Sequence, residues 1–363
     1  MSAAADVFTA AVLRDGNVEL ETHELPTRRP GELDVAVSLA AICGSDLHTV
    51  SGRRAAPSGT GLGHEAVGRV VGVDQGATDA RGRPLALGDR VVFGMIASCG
   101  SCDRCRTGLS MKCRSVVKYG HALVTDPPFA VAMLADRIRL LPEVTVLRAP
   151  DHLDDEVLVS MACAVPTAAA GVRALGPTLP DEATVVGAGA VGLYLVGMLV
   201  AAGVRVAVVE PRGIRRTAAV RLGAEPVPAV PEGTPAVLEA SGAPAAVAEA
   251  VQAVGVGGCL VLLGSVSPGA AAITLDPATV VLRRLRIVGV HNYDAEDLVT
   301  ALDWLGRHGA RLPRLVEGSY GLADVRAAFA AAFAGDSPRV AVRPGAWTSK
   351  PRWAPAGGNR ACS

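Results

Sequence analysis

A thiol, a hydroxyl, a carboxylate and an imidazole stand within six residues in Cys43-Gly44-Ser45-Asp46-Leu47-His48. Further along come Gly63-His64-Glu65 and Cys163. Two thiolates and one imidazole, from Cys43, Cys163 and His64, would make a zinc site with a position left open, the arrangement of a catalytic ion. A substrate oxygen would bind there. A second set is closed. Cys99-x-x-Cys102-x-x-Cys105 followed by Cys113 offers four soft ligands from one short loop, the pattern of a structural zinc that stabilises the loop without doing chemistry. Taken singly, these residues have ordinary readings: Cys163 as a packed side chain, His64 as a turn residue, Asp46 as a helix cap, His48 as a solvated imidazole. Their coexistence argues for chemistry.

A third constellation is Gly187-x-Gly189-x-x-Gly192, which follows the apolar run Thr184-Val185-Val186 and precedes a helical stretch from Leu193 to Ala202. Glu210 stands eighteen residues after Gly192, at the end of the next strand pattern. This is the context of a dinucleotide-binding turn. Gly187 permits the tight turn, Gly189 lets the backbone approach a pyrophosphate, and Gly192 lets helix and strand pack closely, with helix N–H groups facing the anion. Glu210 would accept hydrogen bonds from a ribose and repel a 2′-phosphate, which favours NAD over NADP. Arg212, Arg215 and Arg216 lie close by and temper that preference; Arg215 is counted among the cofactor contacts.

These sites need a scaffold. A chain of 363 residues can bury a large core and is expected to divide into two domains. Residues 7 to 40 alternate apolar and polar side chains between Pro and Gly, as strands do, and the pattern continues through Val67 to Val73 and Asp89 to Phe93. From about Asp154 strands alternate with helices, the sign of a parallel sheet. Later strands are expected at Ala236 to Glu239, Cys259 to Leu263 and Arg286 to Val290, and helices at Ala295 to Arg307 and Ala323 to Phe333. The strand Arg339 to Val342 is expected to return to the first domain. The uncharged run from Ala183 to Val204 is long enough for a membrane span, but its glycines divide it into strand, turn and helix. The tail after Pro344 lacks acid and periodicity and is expected to be disordered.

Thirty-five basic and thirty-five acidic residues cancel, so global charge points neither to nucleic acid nor to an anionic membrane. Lysine occurs only at Lys112, Lys118 and Lys350. The N-terminus shows no basic stretch followed by an apolar core, so the expected compartment is the cytoplasm, where clustered thiols are metal ligands sooner than disulfides. Cys259 reads as a buried hydrophobe and Cys362 has no assigned role.

Over about residues 7 to 343 the sequence resembles the zinc-dependent medium-chain dehydrogenase/reductase family of alcohol dehydrogenase type. The matching motifs are Cys43 to His48, Gly63-His64-Glu65, the four-cysteine loop, Cys163 with Thr167, and Gly187 to Gly192 with Glu210. The resemblance implies an α/β chain with two domains. A mostly-β, GroES-like barrel domain would comprise residues 1–163 and 293–343, and a doubly wound Rossmann domain 164–292. It implies two zinc ions per chain, NAD as cofactor, and hydride transfer between that cofactor and a small-molecule alcohol or its aldehyde or ketone. Cys43, His64 and Cys163 would ligate the catalytic zinc, with Glu65 able to ligate transiently. Ser45 would take the alcohol proton, His48 would pass it to solvent, and Asp46 would orient the zinc-binding histidine. Thr167 would pack on the nicotinamide and Arg339 would pair with Glu65. A homodimer or homotetramer joined through the cofactor domains is implied as well.

A narrower similarity, in Gly264 to Gly269, Leu275-Asp276-Pro277 and Gly289 to Tyr293, is to a subgroup labelled phosphonate-metabolism-associated alcohol dehydrogenases. It implies an anionic, phosphonate-bearing alcohol. Arg53 and Arg54 follow the relay histidine, and His291 falls near the nicotinamide end, so Arg54 and His291 are the candidate substrate contacts. A neutral alcohol or polyol is the alternative substrate, with the arginines as surface charges. A non-catalytic protein that binds NAD and zinc is the alternative of another class.

Overall fold

The computed structural model describes residues 6–266, 272–312, 315–335 and 339–345. Ser267, Pro268 and Gly269 of the subgroup motif, and the tail from 346 onward, lie outside the described residues.

The alternating N-terminal stretch forms a hairpin of Val7–Arg14 with Asn17–Glu24. Asp15 and Gly16 both take positive φ at its turn, as a two-residue hairpin requires. The main sheet of the first domain runs Val316–Gly321, Arg339–Arg343, Leu33–Ile42, Glu65–Gly72, Arg90–Ala97, Val117–Lys118. Both ends of the chain therefore build it. Register matters more than membership here. Ala41 pairs with Glu65 and Ile42 with Val340, so Cys43, His64 and Arg339 emerge at one end of three adjacent strands.

The second sheet has six parallel strands in the order Glu225–Pro226, Arg205–Val209, Glu182–Val186, Thr234–Glu239, Val254–Leu262, Arg286–Gly289. The strand order reverses beside Glu182–Val186, and ligands of doubly wound sheets bind at such a reversal, beyond the carboxyl ends of the strands. Gly187 lies at that position. The helix Ala190–Ala201 that follows is apolar on nearly every side because it is buried on nearly every side. The run from 183 to 204 is thus strand, turn and helix. Among the described residues no single helix is long and apolar enough to cross a membrane.

Cys163 sits at the break between the turn Val159–Ala162 and the helix Ala164–Arg173, where the chain bends by 62°. Tyr293 fixes this corner. Its hydroxyl accepts from the Met95 N–H at 3.1 Å and donates to the Ala162 carbonyl, so the barrel strand and the cysteine-bearing segment share one buried phenol.

Candidate active site and metal centres

Asp46 lies in the short helix Gly44–Val50, which starts as soon as the strand Leu33–Ile42 ends. Its buried carboxylate accepts the Cys43 N–H at 2.9 Å, the Gly63 N–H at 3.1 Å and the His64 Nδ1–H at 3.2 Å. One side chain thus ties the two ligand-bearing segments together. It also fixes the tautomer: Nδ1 carries the proton, and Nε2, 3.1 Å from Ser45 Oγ, is the nitrogen left for a metal.

The ligating atoms of Cys43, His64, Glu65 and Cys163 all lie within 4.8 Å of one another. Hydrogen bonding to Cys163, reinforced by Arg339 and His64, holds the Cys43 thiol well below its usual range. The same bond and burial push Cys163 well above it. Burial alone would lower His64, yet Asp46 and Cys43 outweigh it and hold the imidazole up at about 10. A divalent cation binding here would displace the protons retained on Cys163 and His64, so the donor set fits zinc. Glu65 is held to one side. Arg339 grips it at 2.7 and 3.0 Å, and Ser160 Oγ donates to it at 3.2 Å. Arg339 Nη2 also lies 3.4 Å from Cys43 Sγ.

The second cluster is closed. Cys99, Cys102, Cys105 and Cys113 bring their sulfurs within 4.8 Å of one another on the loop that carries the helical turn Asp103–Arg106. Backbone N–H groups of Ser101 and Cys102 and the Ser101 hydroxyl stabilise the Cys99 thiolate and lower it to about 5. Four sulfurs with backbone donors aimed at them suit a structural zinc. The loop is fastened to the segment just beyond the last parallel strand by Ser110 Oγ on Asp294 at 2.7 Å and by Lys112 Nζ on His291 Nδ1 at 2.6 Å.

The glycine turn fits a dinucleotide. Gly187 has φ of 91°, a left-handed conformation that favours glycine. A Cβ on Gly192 would fall 1.8 Å from the Gly187 carbonyl oxygen, whereas one on Gly189 would meet nothing within 4 Å. The close approach is at Gly192 and the open side at Gly189, where a pyrophosphate would pass. Glu210 is buried, and its two oxygens accept the Ala188 N–H at 2.7 Å and the Arg212 N–H at 2.9 Å. Arg216 bonds the Glu210 carbonyl. Arg215 has a buried Nε without a hydrogen-bond partner.

The metal set opens on a cleft of about 580 Å³ that reaches Val191 of the glycine motif. Cys43, Ser45, His48, His64, Cys163 and Thr167 line it, as do Arg54 and His291, so both candidate substrate residues reach it. His48 Nδ1 and Thr167 Oγ1 are buried without a partner. Arg53 is exposed at the rim. Sequence reasoning missed Lys118 and His121, which also line the cleft, and Ser160 beside Glu65. His121 stacks on His64 at 5.2 Å and accepts from Arg54 Nη1 at 3.1 Å. The rarity of lysine in this chain was the available signal for Lys118.

The alcohol dehydrogenase GroES-like domain model matches residues 29–151, and the zinc-binding dehydrogenase model matches residues 190–307. The 5-exo-hydroxycamphor dehydrogenase of Pseudomonas putida is 32% identical over 322 residues, spanning 81% of this chain and 88% of that protein. The chain belongs to the zinc-binding alcohol dehydrogenase family. As a dehydrogenase it shares its fold with an alcohol dehydrogenase from Thermotoga maritima, at a TM-score of 0.86 and 24% identity, over 93% of this chain and 100% of that one. The alcohol dehydrogenase of Thermus sp. ATN1 superposes with a TM-score of 0.78 at 25% identity, over 92% and 99% of the two chains.

Proposed function

We propose that this dehydrogenase interconverts an alcohol with its aldehyde or ketone, using NAD, with one zinc on Cys43, His64 and Cys163 and a second on Cys99, Cys102, Cys105 and Cys113. The observation that carries the reading is the meeting of two thiols, an oriented imidazole and the Ser45 hydroxyl in one cleft that Val191 of the glycine motif also lines. When bound, zinc would supply a Lewis acid for the substrate oxygen and the nicotinamide a hydride acceptor or donor.

The chain's own residues do the rest. Ser45 Oγ faces the cleft beside His64 and is placed to take the substrate hydroxyl proton; His48, with its free Nδ1, is placed to hand that proton to water. Asp46 holds the Nδ1 proton of His64, so that Nε2 is the nitrogen on which a metal would replace a proton. Arg339 and Ser160 hold Glu65 at the edge of the ligand set, near enough to ligate during exchange. Thr167, whose buried hydroxyl has no partner, would pack on the nicotinamide. Glu210 keeps lone pairs for the ribose hydroxyls after its backbone bonds, and its charge disfavours a 2′-phosphate. A cofactor phosphate is the anion that would satisfy Arg215.

The assembly we infer is a homodimer or homotetramer joined through the cofactor domains. The strand Arg286–Gly289 is an open sheet edge, and Val256, Val281 and Leu282 stand exposed on elements around it.

The test is NADH formation by the zinc-loaded protein with a panel of simple, carboxylated and phosphonate-bearing alcohols. Turnover is expected, and Ser45→Ala should lower kcat by roughly 10²- to 10⁴-fold and flatten the pH–rate profile. A protein that binds zinc and NAD yet oxidises no alcohol and reduces no carbonyl would refute the reading.

A further inference from the structure

Among the described residues no carboxylate lines the cleft, while Arg53, Arg54 and Lys118 all do. Arg90, Arg139 and Arg339, each at least partly withdrawn from solvent, have acidic partners: Asp155 at 3.2 Å, Asp34 at 2.7 Å and Glu65 at 2.7 Å. The cations at the cleft do not. Arg54 bonds His121 Nε2 at 3.1 Å, and Lys118 Nζ bonds Asn292 Oδ1 at 3.3 Å, both neutral acceptors. Holding two partly buried cations on neutral hydrogen-bond partners instead of an acid is costly, and such an arrangement persists where a ligand supplies the charge.

We propose that Arg54 and Lys118 form an anion-binding subsite in the catalytic cleft, which holds a phosphonate, phosphate or carboxylate carried by the substrate alcohol. The inference rests on the alcohol dehydrogenase reading and narrows its substrate class. Placement supports it. Arg54 lies one imidazole beyond the metal-binding His64, because His121 stacks on His64 and accepts from Arg54. The reacting hydroxyl and the anionic group therefore belong to one short molecule. Lys118 closes the other side from the strand Val117–Lys118, and Asn292 steadies its amine. Burial and Arg54 lower the Lys118 amine to about 8, and burial with Lys118, Lys112 and Arg54 lowers His291 to about 4. His291 is thus a neutral acceptor for Lys112, not a charge on the anion. Two charges in one place favour a dianion over a monocarboxylate.

The experiment uses zinc-loaded full-length protein with saturating NAD. 2-Hydroxyethylphosphonate and 3-hydroxypropanoate are compared with 1-butanol in the wild type and in Arg54→Met, Lys118→Met and Lys118→Arg. The wild type should favour the anionic alcohols, the phosphonate most. Each Met variant should lower the anionic-over-neutral ratio of kcat/KM by roughly 10- to 100-fold, chiefly through KM, and Lys118→Arg should restore part of it. Calorimetric titration of methylphosphonate into the NAD-bound protein gives a readout that needs no turnover. Its binding should weaken in both Met variants. If no alcohol is oxidised but this binding and its loss are seen, the subsite stands and the alcohol reading fails. Equal losses for neutral and anionic alcohols, an effect on the KM for NAD instead, or methylphosphonate binding that survives both substitutions would overturn the proposal.

Discussion

At the scale of single residues, the site depends on side chains that orient others. Asp46 is the clearest case, because one carboxylate receives donors from Cys43, Gly63 and His64. Asp46→Ala should weaken zinc binding at the open site by roughly 10- to 100-fold, as loss of an outer partner of a metal histidine does. Competition with a chelator measures this, and unchanged zinc affinity would show that Asp46 does not orient His64. What the sequence disclosed at this scale followed from local spacing. The four cysteines between 99 and 113 announce themselves because all the ligands come from one loop. Lys118 and His121 carry no such mark. They reach the cleft only because Val117–Lys118 pairs with the barrel strand Arg90–Ala97. Arg339 meets Glu65 across 274 residues of chain, and only the resemblance suggested it.

At the scale of elements, strand ends deliver the chemistry. Cys43 follows one strand, Glu65 opens its neighbour and Arg339 opens the third, in a register set by the pairing of Ala41 with Glu65 and Ile42 with Val340. The turn between Glu182–Val186 and the helix Ala190–Ala201 is set by close contact. Alanine at 192 would place its Cβ 1.8 Å from the Gly187 carbonyl, a backbone atom that cannot swing aside. Gly192→Ala should therefore cost NAD affinity by at least about tenfold, with a lower Tm, through a displaced turn. Fluorescence titration with NADH checks it, and wild-type affinity would show that the turn does not hold the cofactor. Alternation and glycine context made these elements legible in the sequence, but register was not. Nothing in the local pattern of Leu33–Ile42 says which residue faces Glu65. The helix expected over Ala323 to Phe333 in fact opens as a tight turn at Leu322–Asp324 before continuing over Val325–Ala334, a boundary that propensity alone does not settle.

At the scale of the whole molecule, the barrel domain carries the proposed metal ligands and the parallel sheet carries the glycine turn, with the cleft between them. The structural loop takes part in this arrangement, since Lys112 and Ser110 bond His291 and Asp294 just beyond the last strand of the parallel sheet. Outside the cleft, Arg286–Gly289 is the last strand of its sheet among the described residues, and Val281 at 71% and Leu282 at 80% exposure stand on the helix Pro277–Arg283 that leads into it. Apolar side chains this exposed beside an unpaired edge favour association. Replacing both Val281 and Leu282 by Asp should shift the protein toward a smaller species in light scattering, and an unchanged mass would place the contact elsewhere. The measurement that tests the central claim most directly is zinc content per chain in the wild type, Cys43→Ala and Cys163→Ala, with NAD affinity and alcohol oxidation followed on the same samples. Two zinc ions should fall to one in each variant, with turnover lost and NAD binding kept. Two zinc ions retained in both variants, or alcohol oxidation that persists once the ion is gone, would contradict the account.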